Sequence, residues 1–320
     1  MAASEMDPRL GLIKSIEIDR SRVLLEPRIL FVCGGPVDVR VTSNHSVRNM
    51  FMNLSGGCTD NDKKFILAED FKDWRTGYRN LSDFENDIAA VSSLVVVFLE
   101  SEGALAEFGL FYANENIRKK LVVCIHSEFH VSESFIKLGL LNPLEEENQE
   151  SVRVYEIDHR RMDKVDKSEI SEILSDVVGF CGKVSKSEAV KYSDRGHYIF
   201  IVFQIIDMFL ALTKGEISEF IIGLGLDGVG KNLDSALFIL EKFGLVVRQK
   251  KSSQYFYFSS PNQSMRVDWS FSGENKRQSL QSIKIKIAEY YRHCAENDPS
   301  HRRRMKVVES VHLGEHDAAF

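Results

Sequence analysis

The chain has 320 residues, which is long enough for two domains that each bury a core. A formal net charge of −6 gives no overall attraction to nucleic acid, and five scattered cysteines without a Cys-x-x-Cys pair argue against a disulfide framework or a zinc site. No apolar signal core or membrane-length apolar run is evident, so we expect no membrane association and a cytoplasmic location.

The first half of the chain is predicted as alternating strands and helices. After a polar N-terminal arm over 1–26, we expect strands at 28–33, 64–68, 94–99, 120–125 and 152–157, and helices at 44–54, 81–92 and 104–116. Unbroken apolar runs such as 94–99 are typical of strands covered on both faces. The alternation predicts an α/β fold over 27–160, with a doubly wound parallel sheet. Residues 161–194 are charged and helix-prone, and we interpret them as a helical connector.

The second half, 195–320, is predicted to be mainly helical. Helices are expected at 196–212, 217–223 and 232–243, followed by strands at 245–248 and 254–258. Helix, turn, helix and a hairpin with a basic tip is the order of a winged helix-turn-helix. Residues 276–306 are expected to form a long helix and a basic tail.

The ends of the first two strands carry candidate substrate-binding residues. Gly34 and Gly35 would bring backbone N–H groups close to a phosphate or ribose, although a simple tight turn is an equal alternative because the dinucleotide fingerprint lacks its third glycine. Arg48 would reach an anion at this loop, with an exposed helical arginine as the more common explanation. Glu69 and Asp70 either lie at the same edge of the sheet as Gly34 and Gly35, or they begin a helix.

The third strand ends in an acidic turn that contains Glu100, Ser101 and Gly103. We expect Glu107 in the first turn of the next helix, where the helix dipole favours the ionised carboxylate by roughly 0.3–1 kcal/mol. Such a carboxylate can attack or stabilise an anomeric carbon, because glycosidic cleavage passes through an oxocarbenium-like state. Glu100 and Ser101 are expected to contact the sugar. The alternative is a helical glutamate without a chemical role.

Cations gather around the predicted hairpin of the second domain. Candidates for phosphate contact are Lys231, Lys242, Arg248, Lys250 and Lys251. The run 255–258 alternates tyrosine and phenylalanine, a pattern found in cores more often than in base-stacking surfaces. Winged helices also dock proteins, so both kinds of partner remain open. The basic run 302–306 is either a nucleic-acid-binding tail or a solvated charge run. The histidines lack metal-ligand spacing, and no metal site is expected.

Five segments of the first domain carry a family resemblance. They are Phe31-Val-Cys-Gly-Gly35, Ala68-Glu-Asp-Phe71, Phe84-Glu-Asn-Asp-Ile88, Phe98-Leu-Glu-Ser-Glu-Gly-Ala-Leu-Ala-Glu-Phe-Gly109 and Asn114-Glu-Asn-Ile-Arg-Lys-Lys-Leu-Val-Val-Cys-Ile125. These segments resemble nucleoside deoxyribosyltransferase-like domains, in the variant that effector proteins of bacterial retrons join to a C-terminal winged helix. The resemblance is specific across about 29–140 and architectural across 195–260.

The resemblance implies a toxic effector of a retron anti-phage defence system. Its activity would be hydrolysis of the N-glycosidic bond of NAD or another nucleotide, without a resident cofactor. Implied partners are the retron reverse transcriptase and its RNA–DNA hybrid (msDNA), and a higher-order assembly is a further expectation. The catalytic glutamate of the family's Glu-Leu-Gly motif falls on Glu107, where this chain has Glu-Phe-Gly.

Two departures from the family pattern bear on the reaction. Glu102 adds a charge to the acidic turn, and the aspartate that classical salvage transferases carry there is missing. Hydrolysis is therefore expected rather than base exchange. The alternative function is a non-catalytic, nucleotide-sensing DNA-binding regulator, in which an ionised Glu107 at the anomeric position has no purpose.

Overall fold

The computed structural model describes residues 7–37, 46–56, 63–157, 162, 165–226 and 232–312, with side chains to 310. The strands are β1 Arg22–Leu24, β2 Arg28–Cys33, β3 Lys63–Ile66, β4 Leu94–Phe98, β5 Leu121–His126, β6 Val152–Tyr155, β7 Ser187–Ala189, β8 Val246–Lys251, β9 Gln254–Ser259 and β10 Val267–Asp268. The helices are α1 Pro8–Ser15, α2 Val47–Ser55, α3 Leu81–Val91, α4 Glu102–Ala113, α5 Glu115–Arg118, α6 Ser127–Val131, α7 Asn142–Glu147, α8 Lys167–Lys183, α9 Arg195–Met208, α10 Lys214–Gly223, α11 Leu233–Lys242, α12 Leu280–Ala295 and α13 Pro299–His312. None of these helices is long and apolar enough to cross a membrane.

The chain divides into two compact units. The α/β unit is Leu25–Lys186, and the C-terminal unit is Ser187–Phe320 together with Met1–Leu24. This division differs from the predicted one at two places. The described part of the N-terminal arm up to Leu24 belongs to the C-terminal unit, and α8, which lies in the predicted connector, belongs to the α/β unit. In both cases the segment buries apolar side chains that a free arm or connector would leave in water.

The α/β unit is built on a five-stranded parallel sheet with the order β3-β2-β4-β5-β6. The predicted parallel α/β sheet is confirmed, and the strand ends differ from the predicted ones by one or two residues. All five residues of the central strand β4 are buried. This is what its unbroken apolar run predicts for a strand covered on both faces.

Helices cover both faces of this sheet. On one face α2 and α8 pack in a single core with alternate strand residues such as Leu30 and Val96, and α8 contributes Ile170, Ile173 and Val177. On the other face Phe31 meets Phe111 of α4 edge-on, with ring centroids 5.9 Å apart. The strand side chains thus alternate between two helical layers.

The C-terminal unit contains a small antiparallel sheet with the order β10-β1-β7. In this sheet Val23 pairs with Val267 on one side and Glu188 on the other. Leu12 and Ile13 of α1 are also buried, which explains why the arm folds with this unit.

Helix α9 is the centre of the C-terminal unit, and it confirms the helix predicted at 196–212, although it ends at Met208. Its residues from Gly196 to Met208 are all buried.

Two polar residues of α9, Gln204 and Asp207, interrupt its apolar run, and both have hydrogen-bond partners. Gln204 accepts hydrogen bonds from the backbone of Arg266 and Val267 at 2.8 and 3.0 Å. Asp207 accepts bonds from Ser259 and Lys284 at 2.8 and 2.6 Å. Helices α10 and α11 and the β8–β9 hairpin follow in the predicted order.

The long helix predicted within 276–306 is present as α12, but the predicted basic tail is wrong, because it forms a second helix, α13. The two helices are separate because Pro299 disfavours helical backbone at the preceding residue. The inner face of α13 packs Val307 and Val308 against Phe256 and Phe258 of the hairpin. Arg304 is 3% exposed and therefore belongs to the core rather than to a solvated run.

Candidate active site

The carboxylate of Glu100 binds the N-terminus of α2. It accepts hydrogen bonds from the backbone N–H groups of Gly35, Val47 and Arg48 at 3.0, 2.7 and 3.0 Å. Ser46 caps the same helix by accepting from Asn49 N–H at 2.9 Å, so the helix begins three residues later than predicted. A negative charge at this terminus is favourable, since the helix dipole and free N–H groups attract anions. Glu100 thus occupies the donors that we expected to serve a phosphate.

Replacing Glu100 by alanine is expected to lower the free energy of unfolding by about 1–3 kcal/mol, because three backbone donors lose their acceptor. Chemical denaturation monitored by circular dichroism measures this. Glu102→Ala is the matched control, as Glu102 is exposed at the start of α4. Equal losses in the two variants would contradict the role assigned to the Glu100 carboxylate.

Gly34 and Gly35 are explained by close packing. A Cβ atom on Gly35 would lie 2.8 Å from the Ser46 Cβ and 3.0 Å from the Glu100 carboxyl carbon. A Cβ on Gly34 would lie 2.9 Å from the Phe98 Cβ. The two glycines therefore let the end of β2 approach both β4 and α2.

Ser101 is the N-cap of α4. Its hydroxyl accepts a hydrogen bond from Ala104 N–H at 3.1 Å and lies 3.5 Å from the Gly34 carbonyl oxygen. Gly103 is exposed in the first turn and has open space around it. The helix therefore begins at Glu102, two residues earlier than predicted.

This earlier start places Glu107 in the second turn of α4, so the prediction of a first-turn position is wrong. The stabilising effect of the helix dipole fades beyond the first turn. Burial raises the pKa of Glu107 to about 7, the charge of Glu85 adds to the rise, and Arg48 opposes it. Near neutral pH the carboxyl group is therefore divided between its neutral and charged forms, and is not held fully ionised as we expected.

Glu107 lies among four other ionisable residues, which with it we call the Glu107 cluster: Cys33, Arg48, Glu69 and Glu85. The Cys33 thiol hydrogen-bonds to the Glu107 carboxyl group. The Oε2 atom of Glu107 is buried and has no hydrogen-bond partner among the described residues. Burial and the neighbouring charges of Glu107 and Glu85 raise the pKa of Cys33, so the thiol is neutral. The cluster thus contains a buried carboxyl oxygen that makes no hydrogen bond to the described residues, although Glu107 does not line the cavity described below.

Arg48 is not the exposed helical arginine that is common at such positions. It is 4% exposed, and its guanidinium group donates to the carbonyl oxygens of Gly35 and Val32 at 2.6 and 3.3 Å. It also pairs with Glu69 at 2.5 Å. Asp70 instead accepts from Leu67 N–H at 3.0 Å, which closes its own turn. Arg48 therefore joins the loop after β2 to the turn after β3.

Glu85 was not predicted as a site residue. It is 7% exposed on α3, and burial together with the charge of Glu69 raises its pKa to about 7. A signal was present in the sequence: Glu85 precedes the buried Ile88 and Ala89 by three and four residues, so it lies on the apolar stripe of its helix. A carboxylate in such a stripe marks a functional candidate.

The raised pKa values of Glu85 and Glu107 make stability depend on pH. The folded state holds protons that the unfolded chain releases above about pH 4.5, so the free energy of unfolding falls as the pH rises through about 7. Glu85→Gln is expected to reduce this fall by on the order of 2–3 kcal/mol between pH 5 and 8. Denaturation at both pH values tests it, with Asp83→Asn, an exposed acid of the same helix, as control. Identical pH profiles for wild type and Glu85→Gln would contradict the burial argument.

A cavity of about 340 Å³ opens beside the first turn of α4. Its apolar walls include Leu105, Phe129 and Ile136, and its hydroxyl groups come from Ser101, Ser132 and Ser134. This volume and mixed lining suit one nucleoside-sized group. Among the residues that the structure describes, no group of three His, Cys, Asp or Glu side chains could hold a metal ion.

The cations predicted to contact nucleic acid lie mostly on the hairpin. Arg248 is half exposed and lies 3.6 Å from Glu241, and Lys250 is exposed beside it. Lys251 is at the tip, partly buried. Lys242 lies over the Phe238 ring at 5.4 Å. Lys231 falls outside the described residues.

The amino-acid sequence of this chain matches a known protein family. Residues 44–250 match the model of the STM3845 retron effector protein family. The "Retron Ec86 putative ribosyltransferase/DNA-binding protein" of Escherichia coli is 30% identical over 126 residues, which cover 38% of this chain and 39% of that protein. Its Retron Ec73 counterpart, also from Escherichia coli, is 26% identical over 129 residues, 39% of this chain and 40% of that protein. The chain thus spans about two fifths of each relative's length. Because the family model covers well over half of it, the chain belongs to the STM3845 retron effector protein family.

Proposed function

We propose that the α/β unit hydrolyses the N-glycosidic bond of a nucleotide and that Glu107 is the reacting carboxylate. The observation that carries the proposal is the buried, unpartnered Oε2 atom of Glu107 within a cluster of acids at the ends of β2 and β3. A carboxyl group with a pKa of about 7 is suited to exchange a proton or to become charged when a ligand arrives. The names of the two relatives, which include the word ribosyltransferase, agree with chemistry at a ribosyl carbon.

The charge of the cluster favours NAD as the substrate. Three carboxyl groups, on Glu69, Glu85 and Glu107, face one guanidinium group, on Arg48. A pyridinium ring bonded to the reacting ribose carries a positive charge, which would lower the pKa of Glu107 and return it to its ionised form. The ring also leaves as neutral nicotinamide, so no general acid is required.

The proposed hydrolysis breaks the bond between nicotinamide N1 and ribose C1′, and the electron pair of that bond stays on the nitrogen. Ionised Glu107 stabilises the oxocarbenium-like C1′ atom, or bonds to it transiently. The oxygen of a water molecule then bonds to C1′ where nicotinamide was, and the water gives up a proton. The products are nicotinamide, ADP-ribose and one proton. Burial, together with the charge of Glu85, keeps the pKa of Glu107 high in the absence of substrate, and Arg48 holds the surrounding loops.

The predicted binding residues keep supporting roles in this proposal. Glu69, with its exposed carboxylate, is placed to receive ribose hydroxyls, and Asp70 shapes its turn. Gly34, Gly35 and Glu100 pack the end of β2 against β4 and the N-terminus of α2. Ser101 and Gly103 begin α4 next to the 340 Å³ cavity, to which we assign the remote half of the nucleotide.

Hydrolysis of NAD would make the protein a toxic effector in anti-phage defence. The family description names a retron effector, and on that basis we propose a complex with a retron reverse transcriptase and its RNA–DNA hybrid. The relatives are also named DNA-binding proteins. We therefore propose that the C-terminal unit, with α9, α10, α11 and the β8–β9 hairpin as a winged helix, contacts nucleic acid.

The test is a chromatographic assay of the released base, which is nicotinamide from NAD and adenine from dAMP. The chain is incubated alone, and in complex with a retron reverse transcriptase and its RNA–DNA hybrid, with NAD, with NADH and with dAMP. We expect NAD to be cleaved, while NADH, which lacks the pyridinium charge, stays intact. Intact NAD in every condition would refute the proposal. Bound but uncleaved nucleotide, together with sequence-selective binding of duplex DNA, would instead support the nucleotide-sensing regulator.

A further inference from the structure

Helix α11 offers no basic face to a nucleic acid. In winged-helix proteins that read duplex DNA, the helix before the hairpin enters the major groove. Within Leu233–Lys242, all of which the structure describes, Asp234 is the most exposed residue, and it pairs with Lys214 at 2.5 Å. Most of the rest is buried, including Ser235, Ala236, Leu237, Ile239 and Leu240. An acidic, largely buried helix is poorly suited to a groove lined by phosphates.

The outward face of the β8–β9 hairpin has the opposite character. Strand alternation turns Phe256 and Phe258 into the core and leaves Arg248, Lys250 and Tyr255 on the solvent side. The antiparallel register places Lys250 directly opposite Tyr255. The guanidinium carbon of Arg248 and the ammonium nitrogen of Lys250 each lie 5.5 Å from the centre of the Tyr255 ring.

Tyr255 is thus an exposed aromatic side chain with two cations close to its ring. The residue is 48% exposed, whereas the next three residues of its strand are buried. Cation–π contacts hold the ring in place and leave nearly half of the residue accessible. An ordered ring beside two phosphate-binding cations is the arrangement on which an unpaired base stacks while its backbone is neutralised. Bases in a duplex are already stacked on each other and cannot use such a ring.

We infer that the outward face of the β8–β9 hairpin binds a single-stranded stretch of nucleic acid. One unpaired base stacks on Tyr255, and the flanking phosphates contact Arg248 and Lys250. The inference rests on the proposed nucleic-acid contact of the C-terminal unit and refines it, because it names the strand state and the stacking residue. Binding through stacking and phosphate contact is tolerant of sequence.

The test uses the full chain and fluorescence anisotropy with a fluorescein-labelled 20-nucleotide DNA strand of mixed sequence, free or in its duplex. Wild type is expected to bind the free strand more tightly than the duplex. Tyr255→Ala is expected to weaken binding of the free strand by about 5- to 150-fold, and Tyr255→Trp to retain it. Replacing both Arg248 and Lys250 by alanine is expected to reduce the slope of log affinity against log salt by about 1.4.

Matched controls separate these effects from general loss of charge or fold. Lys286→Ala removes an exposed cation from α12, and Tyr192→Ala removes an exposed tyrosine from the same unit. Both are expected to bind the strand as wild type does, and thermal unfolding checks that every variant is folded. Full affinity in folded Tyr255→Ala, or equal affinity for strand and duplex, overturns this inference alone. Wild type that binds neither DNA overturns the nucleic-acid proposal as well, while nicotinamide release tests the α/β unit independently.

Discussion

Replacing Glu107 by glutamine is expected to lower the rate of nicotinamide release by about 10²–10⁴-fold while making the folded protein more stable at pH 8. The activity falls because an amide can neither become charged beside an oxocarbenium-like carbon nor exchange a proton. The stability rises because burial raises the pKa of Glu107 to about 7, so at pH 8 folding forces an unfavourable charge into the cluster. Steady-state rates and thermal unfolding of the same preparations measure both effects.

The opposite directions of these two effects make the result informative. A variant that is inactive because it misfolds would lose stability, whereas Glu107→Gln should unfold at a higher temperature than wild type at pH 8 and show little difference at pH 4.5. Glu172→Gln, which changes an exposed glutamate on α8 of the same unit, should alter neither property appreciably. Full activity in Glu107→Gln would remove the assigned role, whatever its stability.

In the C-terminal unit, Glu216→Gln is expected to lower the free energy of unfolding by about 3–5 kcal/mol. Its Oε1 atom accepts hydrogen bonds from Arg9 and Arg304 at 2.6 and 2.5 Å, and both guanidinium groups lie over the Tyr291 ring, at 5.4 and 4.6 Å. Without the carboxylate, the buried Arg304 would lose its ion pair with Glu216. Among the acids that the structure describes, only Asp7 would then remain beside Arg9 to offset the two positive charges. Chemical denaturation of the variant and of wild type at pH 7 measures the loss.

Glu219→Gln is the matched control for this change, because Glu219 is exposed on the same helix, and we expect it to alter stability by less than about 0.5 kcal/mol. Burial alone would raise the pKa of Glu216, but the charges of Arg304 and Arg9 outweigh it and lower the pKa to about 2. The stabilisation is therefore present above about pH 4.5 and is lost as the pH falls towards 2. A loss below about 1 kcal/mol in Glu216→Gln would show that the ion pairs are not coupled to folding.

The parallel sheet was predictable because its signal is local. Strands β2, β4 and β5 are continuous apolar runs, and their order along the chain with intervening helices leaves few other arrangements. Helix starts were less predictable. Gly103 is a poor helix former, so α4 was expected to begin after it, whereas the Ser101 cap begins the helix before it.

The assignment of Glu107 as the candidate carboxylate needed only the residues around it and the family resemblance they carry. Two of its neighbours, Arg48 and Glu69, were also among the candidates, whereas Cys33 and Glu85 were not. The four residues come from different elements spread over more than fifty residues, so their meeting was hard to predict. The partners of Glu100 were also hard to predict from its neighbours in the sequence. It was singled out as an acid at a strand end, but its partners are the backbone N–H groups of a helix that begins 53 residues earlier.

By itself, the amino-acid sequence determined the α/β architecture, the core helix α9 and the choice of Glu107, since each depends on patterns within a few neighbouring residues. Only the tertiary structure determined which ionisable side chains are buried, how their pKa values shift and where the exposed charges lie. Burial and long-range charge–charge interactions put the pKa of Glu107 near 7, bring Arg304 into the core beside Glu216, and leave α11 without a basic face. These properties depend on which distant side chains share a low-dielectric space, and that is set by packing rather than by local pattern.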